Sequence, residues 1–344
     1  MSNWMIYGTG YTAGLIAEEA VRRGHAPIIA GRSPDKARKI ADPLGLEWAN
    51  ASVGDSRGLL DIMAPVDLVL NTAGPFIGTC APILEACLAS KTHYLDISNE
   101  IEVFKIAESR HAAALQAGIA IFPGAGFGTL ASNHLARIAC GHVEAPVSLE
   151  IAIAPFVATH SAGASKSAID ALSKKNYVVE HGKLAPIPLG SGIRKIPFSD
   201  KIRNALPVSS GDLEAARLAF GLPAITVYWP SPLPPMLARV LLPIIQRLLS
   251  VEWVREKIGK FAEEKNRTHQ PIGESGSRSQ LWVRVQGAKG DCVEMRMETG
   301  EGYAFTASAS IRMVEATLSN PSAGLTTAAL YSAECISQMV RILK

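Results

Sequence analysis

Tyr7-Gly8-Thr9-Gly10-Tyr11-Thr12-Ala13-Gly14 follows the apolar run of residues 4–6 and leads into a helix-like segment beginning near Leu15. Gly8, Gly10 and Ala13 fit the spacing G-x-G-x-x-G/A. In that pattern the first glycine lets the chain turn, the second lets backbone approach a pyrophosphate, and a small third residue lets helix and strand pack closely. The unpaired N–H groups and dipole of the following helix favour an anion at its N-terminus. Gly8, Thr9, Gly10, Tyr11, Thr12 and Ala13 are therefore the first candidate cofactor-binding residues.

Working outward, short aliphatic runs alternate with amphipathic segments up to about residue 128, the pattern of βαβ units and a parallel sheet. Six strands are expected, at residues 4–7, 27–30, 46–49, 66–71, 93–97 and 119–122. Helices are expected between them at 15–23, 34–40, 79–90 and 102–117. The second strand runs into Gly31-Arg32-Ser33, where an Asp or Glu would bind an adenosine ribose hydroxyl. Arg32, Ser33 and Lys36 instead offer a guanidinium, a hydroxyl and an ammonium suited to a 2′-phosphate, so NADP(H) is expected over NAD(H). A merely solvated Arg32 is the alternative.

The fourth strand ends in Asn71-Thr72-Ala73-Gly74-Pro75-Phe76. Ligands of open α/β sheets lie beyond the carboxyl ends of the strands, which makes Asn71, Ala73, Gly74, Pro75 and Phe76 further cofactor candidates. Phe76 reads either as a ring beside a nicotinamide or as core. Asp96, near the end of the fifth strand, reads as a structural partner or as a site carboxylate. Cys80 and Cys87 share a helix face and should be buried.

Composition sets bounds on function. With 344 residues, two domains are expected. The formal charge of +3 and scattered basic residues give no support to nucleic-acid binding. Five cysteines without C-x-x-C spacing, and no histidine cluster, indicate neither a metal site nor a disulfide framework. A cytoplasmic protein is expected, with no cleaved leader and no membrane span.

Five ordered motifs together resemble the saccharopine dehydrogenase-like oxidoreductases, particularly the branch that includes trans-acting enoyl reductases. They are the Gly8–Gly14 turn, Ala30-Gly31-Arg32-Ser33, residues 71–76, His93-Tyr94-Leu95-Asp96-Ile97-Ser98 and Pro123-Gly124-Ala125-Gly126-Phe127. Near the C-terminus, residues 302–307 and 323–328 resemble that family's closing strand and final helix. The resemblance implies a Rossmann-type domain, an inserted sheet domain and a nicotinamide cofactor. Two departures stand out: the first loop has G-x-G where relatives commonly have G-x-x-G-x-x-G, and Gly128-Thr129-Leu130 replaces an acidic pattern after Phe127.

The expected fold class is thus α/β, a Rossmann-type parallel sheet domain plus a second α+β domain with a mainly antiparallel sheet. Domain limits are expected at 1–140 for the dinucleotide-binding domain and 141–320 for the inserted substrate or dimerisation domain, followed by a returning helix in 321–344. In the second domain, strands are expected at 147–154, 281–286, 292–299 and 303–311, the last two forming a hairpin around Gly300-Glu301-Gly302, and residues 183–235 read as loop-rich. His160, with an ordinary pKa near neutrality in a small-residue loop, is the candidate general acid, and Lys166 a candidate for neutralising a substrate carboxylate. The strongly apolar residues 232–250 admit three readings: a buried helix pair, the lid of an oily pocket, or a surface helix that touches lipid.

The function expected is NADP(H)-dependent reduction of a hydrophobic enoyl C=C bond in a small-molecule substrate. Saccharopine-type C–N chemistry and a non-catalytic NADP(H)-binding regulator or membrane-associated protein are the alternatives. Peripheral membrane contact and a homodimer are both compatible with the sequence.

Overall fold

The computed structural model describes residues 3–156, 169, 172–267, 278–329 and 334–343, with backbone alone for 260, 262–267 and 334. The chain divides into two units, the first of residues 1–130 and 303–336, the second of residues 131–302 and 337–344.

The first unit is built on a seven-stranded sheet. Its strands are β1 (Trp4–Tyr7), β2 (Ile28–Gly31), β3 (Trp48–Asn50), β4 (Leu68–Asn71), β5 (His93–Asp96), β6 (Ala120–Phe122) and β15 (Gly324–Leu325). All pairings are parallel, in the order β15-β6-β5-β4-β1-β2-β3. Strand order reverses between β1 and β4, the switch point at which open α/β sheets bind ligands. Burial on both faces explains why β1 and β4 are apolar without alternation: every residue of both is buried.

Helices α1 (Tyr11–Arg22), α2 (Pro34–Leu44), α3 (Ser56–Met63) and α4 (Phe76–Ser90) follow the first four strands. Helix α1 starts four residues earlier than the periodicity suggests, so Tyr11 and Thr12 lie in its first turn. The helix expected at 102–117 is two, α5 (Ile101–Ser109) and α6 (His111–Ala117), broken at Arg110. Helix α7 (Phe127–Cys140) leaves the glycine-rich segment after β6. Val69, Cys80, Ile83, Leu84, Cys87 and Tyr94 belong to one core cluster, consistent with the shared face of the two cysteines.

The segment expected as a strand at 303–311 is part of helix α11 (Gly302–Ser319). The hairpin expected around Gly300 therefore does not form. Residues 324–343, expected as one helix, instead give β15, α12 (Glu334–Ser337) and β16 (Val340–Leu343) among the described residues. Strand β15 extends the first sheet through Gly324↔Ala120 and Leu325↔Ile121.

The second unit holds a nine-stranded sheet. Its central strands are β7 (Pro146–Ala154), β12 (Ala224–Pro230), β13 (Ser279–Gly287) and β14 (Cys292–Thr299), completed by β8 (Asn176–Glu180), β9 (Lys183–Ile187), β10 (Arg194–Pro197), β11 (Ile202–Pro207) and β16. The β7–β12 pair is parallel and the other pairings are antiparallel. Residues 183–235 are thus strand-rich rather than loop-rich, and they also carry helix α8 (Gly211–Phe220). Three of their prolines, Pro197, Pro207 and Pro230, sit at strand ends, where a ladder loses least from a missing N–H, and Pro186 lies in β9, which pairs only with β8. Helices α9 (Pro235–Leu249) and α10 (Glu252–Arg267) complete the unit.

Candidate functional site

Register places the candidate residues along one edge of the first sheet. Tyr7 pairs with both Ala30 and Asn71, and Asn71 pairs with Asp96, so the loops after β1, β2, β4 and β5 leave the sheet in one row. That edge is the carboxyl end of the strands.

Gly8 is clamped there. Its N–H donates to the Ala30 carbonyl at 2.7 Å, and its φ of +143° is open to few residues but glycine. A Cβ at Gly8 would stand 2.2 Å from Thr72 Oγ1 and 2.9 Å from the Ala73 nitrogen. The first glycine therefore serves a close approach of the β1 and β4 loops. Gly10 differs: a Cβ there would meet nothing within 4 Å. Gly10 is also the extended N-cap of α1, with no side-chain cap and no acidic residue in the helix's first turn. Open space at the start of a helix whose first turn holds no acidic residue suits a phosphate. Ala13, fully covered, allows the helix to pack closely.

A second helix starts at the same edge, but its N-terminus is occupied. The Glu100 carboxylate accepts from the Phe76 N–H at 3.3 Å and the Ile77 N–H at 3.1 Å, at the start of α4. Of these two helix starts, the one at Gly10 is the one that invites an anion. Sequence reading missed Glu100; its signal was an acidic residue directly after the fifth strand's Ser98-Asn99.

Arg32 lies exposed just beyond β2, with no ion pair among the described residues. Ser33 is the N-cap of α2 yet makes no side-chain capping bond, and Lys36 is exposed in the first turn of that helix. Three donors thus stand at the strand end uncommitted. Burial pushes the Tyr7 phenol up, and the nearby Arg32 charge pulls it partly back. That phenol donates to the Ala51 carbonyl at 2.8 Å.

The loop after β4 is rigid. Asn71 is fully buried; its Oδ1 accepts from the Ala73 N–H at 3.0 Å, and its Nδ2 donates to Thr79 Oγ1 and to the Tyr94 hydroxyl, both at 3.3 Å. Thr79 Oγ1 donates to the Ala73 carbonyl at 2.7 Å. Asn71 is therefore the brace of this loop and turns its polar atoms into the protein. Gly74 and Pro75 are exposed and joined by a cis peptide bond. Phe76 packs against the core cluster while half-buried, so it is at least in part a core residue.

Asp96 belongs to the same brace. Its Oδ2 accepts from the Tyr94 hydroxyl at 2.8 Å, and its Oδ1 from the Ser98 and Gly124 N–H groups at 2.9 Å each. Complete burial raises the carboxyl above its ordinary value, against those hydrogen bonds. It is a structural partner that ties the β5 and β6 loops together. Cys80 is inert: burial, with the Asp96 charge behind it, pushes its thiol to about 12.

Tyr303, at the start of α11, stacks edge-on against Tyr11 with ring centroids 5.2 Å apart. Tyr11 is about half exposed. The pair puts an aromatic wall beside the Gly8–Ala13 turn. Phe305 makes a second edge-on contact, to Phe127, and Thr306 Oγ1 accepts from the Phe127 N–H at 3.1 Å.

In the second unit, a cavity of about 690 Å³ is lined by Phe156, Arg203, Trp229, Arg278 and Glu298 among others. Its cations are already matched. Arg203 makes a two-pronged contact with Asp200 at 2.6 and 2.7 Å, and Arg278 stands 4.0 Å from Glu298. The buried indole N–H of Trp229 has no partner among the described residues. The two predicted catalytic residues, His160 and Lys166, lie outside the described residues. Among the described residues there is no cluster of His, Cys, Asp and Glu that would hold a metal.

Residues 4–121 match the family described as saccharopine dehydrogenase NADP binding domain. The saccharopine dehydrogenase-like oxidoreductase of Homo sapiens is 24% identical over 150 residues, covering 38% of this chain and 35% of that protein. The trans-acting enoyl reductase of Mycobacterium ulcerans (strain Agy99) is 28% identical over 138 residues, covering 38% of this chain and 33% of that protein. The chain thus matches about a third of the length of these curated relatives. Saccharopine dehydrogenase (L-Glu forming) from Saccharomyces cerevisiae superposes over 100% of both chains with a TM-score of 0.68 at 12% identity, a likeness of fold. Residues 4–121 thus form an NAD(P)-binding domain, and the chain has the fold of saccharopine dehydrogenase.

Proposed function

We propose that this chain is an NADP(H)-dependent oxidoreductase that reduces the C=C bond of a hydrophobic enoyl substrate. The observation that carries the cofactor is the edge where Gly10 leaves open space at the uncapped start of α1 while Arg32, Ser33 and Lys36 stand uncommitted beyond β2. The backbone from Gly8 to Ala13 would hold the pyrophosphate, and the three donors a 2′-phosphate. The braced loop at Asn71–Phe76 would form the wall toward the nicotinamide. When bound, the cofactor supplies a hydride.

The substrate reading is supported by the name of one similar protein, the trans-acting enoyl reductase, and by the cavity of the second unit. Each cavity guanidinium already faces a carboxylate, so the cavity has no spare charge for a polycarboxylate of the saccharopine type. Phe156 and Trp229, beside Ala154, Pro155 and Pro230, give the cavity an apolar portion next to these charged pairs, and that portion is where an acyl chain would lie. Reduction places hydride on one carbon and a proton on the other, and His160, the candidate general acid of the sequence, is the proposed donor.

Titration of NADPH and NADH into wild type and Arg32→Ala tests the cofactor assignment. The variant should bind NADPH at least tenfold more weakly while NADH changes less than twofold; equal effects overturn the 2′-phosphate role. With a panel of enoyl thioesters and cyclic imines, consumption of NADPH should follow the enoyl compounds. His160→Asn should lower kcat at least tenfold with NADPH affinity unchanged, and an unchanged kcat removes His160 as proton donor.

A further inference from the structure

Helix α9 is built with its apolar side outward. Met236, Leu237, Val240, Leu241, Ile244, Ile245 and Leu248 are all exposed, Met236 to 84%. At 100° per residue these seven positions cover one continuous half of the helix. The inward side is fixed by Ala238 and Leu249, the buried residues of the helix, and by Gln246, whose amide donates to the Lys174 carbonyl. The seating is tight at Gly190, where φ is +87° and a Cβ would come within 2.5 Å of the Ala238 carbonyl oxygen. The outward face is therefore set by backbone packing. Helix α10, which packs on α9, continues it with Trp253 and Phe261, 67% and 68% exposed.

Charge is sorted around this face. Helix α9 contains no acidic residue, and its Arg239 and Arg247 are exposed along one margin of the apolar half. On α10 the exposed Lys257 falls on the arc of Trp253 and Phe261, as does position 264, a glutamate in the last turn, while Glu252 and Glu256 fall on the arc away from it. Apolar surface edged by cations, with an interfacial tryptophan, matches a bilayer whose headgroups are anionic. A second copy of the chain matches less well, because a two-fold contact sets the same patch against itself and brings the two sets of cations together. Crossing the bilayer is excluded by length. Fifteen residues of helix reach about 22 Å, short of a hydrocarbon core of about 30 Å. No helix among the described residues is long and apolar enough to span.

We propose that the outward face of α9 and α10 lies on an anionic phospholipid surface, Trp253 and the leucine and isoleucine side chains entering the headgroup boundary and Arg239, Arg247 and Lys257 facing phosphate groups. This stands independently of the enoyl reading.

The test is flotation of the full chain with vesicles of phosphatidylcholine alone and of phosphatidylcholine with a third of phosphatidylglycerol. Wild type should float with the anionic vesicles at least fivefold more than with neutral ones, and less so in high salt. Leu237→Glu/Ile244→Glu/Leu248→Glu should lose at least nine-tenths of that binding, while Arg239→Gln/Arg247→Gln should lose the preference for anionic vesicles. All substituted side chains are exposed; NADPH binding equal to wild type reports an intact fold. Wild type remaining unbound, or the triple variant floating like wild type, overturns the proposal. So does a concentration-dependent dimer by light scattering, abolished in the triple variant, without vesicle binding; the face is then a contact between copies.

Discussion

Gly8 and Gly10 stand two residues apart in one motif and answer to different constraints. Gly8 is required by the fold: its positive φ and the Thr72 side chain leave no room for a methyl. Gly8→Ala should therefore cost on the order of 2–3 kcal/mol in urea unfolding, besides weakening NADPH. Gly10 has an ordinary negative φ and empty space around its Cα. Gly10→Ala should cost under about 1 kcal/mol, the scale of a helix cap change, yet weaken NADPH by at least tenfold by filling the cradle. Similar affinities for wild type and Gly10→Ala would place the pyrophosphate elsewhere. Asp96 contrasts with both, since it accepts three hydrogen bonds in complete burial. Asp96→Ala strands those donors and should lower stability by roughly 3 kcal/mol or more, read from the urea midpoint. Sequence alone showed that these residues sit at strand ends. It could not separate Asp96 as brace from Asp96 as site carboxylate, because hydrogen-bond partners such as the Gly124 N–H arrive from distant loops.

Among the elements, β1 and β4 were legible because double burial writes itself as an unbroken apolar run. Helix α11 was not. Its segment Tyr303-Ala304-Phe305-Thr306-Ala307-Ser308-Ala309 alternates residue types like a strand, and its many small residues fit a helical face equally well. What decides it is tertiary: Glu315 on α11 meets Arg23 at 2.5 Å and His25 at 2.9 Å at the end of α1. Partial burial raises the Glu315 carboxyl, but the Arg23 and His25 hydrogen bonds outweigh it and hold the group below its ordinary value. A carboxyl depressed in the folded state contributes stability above its unfolded value, roughly pH 4.5, and that contribution fades as pH falls through the folded value. Glu315→Gln should thus cost about 1 kcal/mol at neutral pH, scaled for partial exposure, and less at about pH 3 than at about pH 7. Urea midpoints at the two pH values check this; a cost independent of pH would assign the loss to packing.

At the scale of the whole molecule, the nucleotide-binding unit is discontinuous, and its late segment, expected as a closing strand and a returning helix, is instead helix α11 followed by strand β15. The motifs in residues 4–121 placed the Rossmann-type sheet correctly, but the strand that completes it, β15, is two residues long and lies some two hundred residues downstream. Nothing so short carries a period. Its place is fixed by pairing: the Gly324 and Thr326 N–H groups donate to the Ile119 and Ile121 carbonyls at 2.8 and 3.0 Å, and the Leu325 N–H donates to His111 Nδ1 at 2.9 Å. With the Glu315 bridge and the Phe127–Phe305 contact, these tie residues 303–329 to the first sheet. A fragment of residues 1–140 exposes the β6 edge and the apolar surface that α11 covers, and an uncovered strand edge invites self-association. Residues 1–130 joined through a glycine-serine linker to 303–329 should restore both, giving a monomer that unfolds cooperatively and binds NADPH within tenfold of the full chain. The 1–140 fragment should aggregate or unfold without a cooperative transition. Equal folding of the two fragments, compared by circular dichroism and light scattering, would show that the late segment is dispensable for the nucleotide-binding unit.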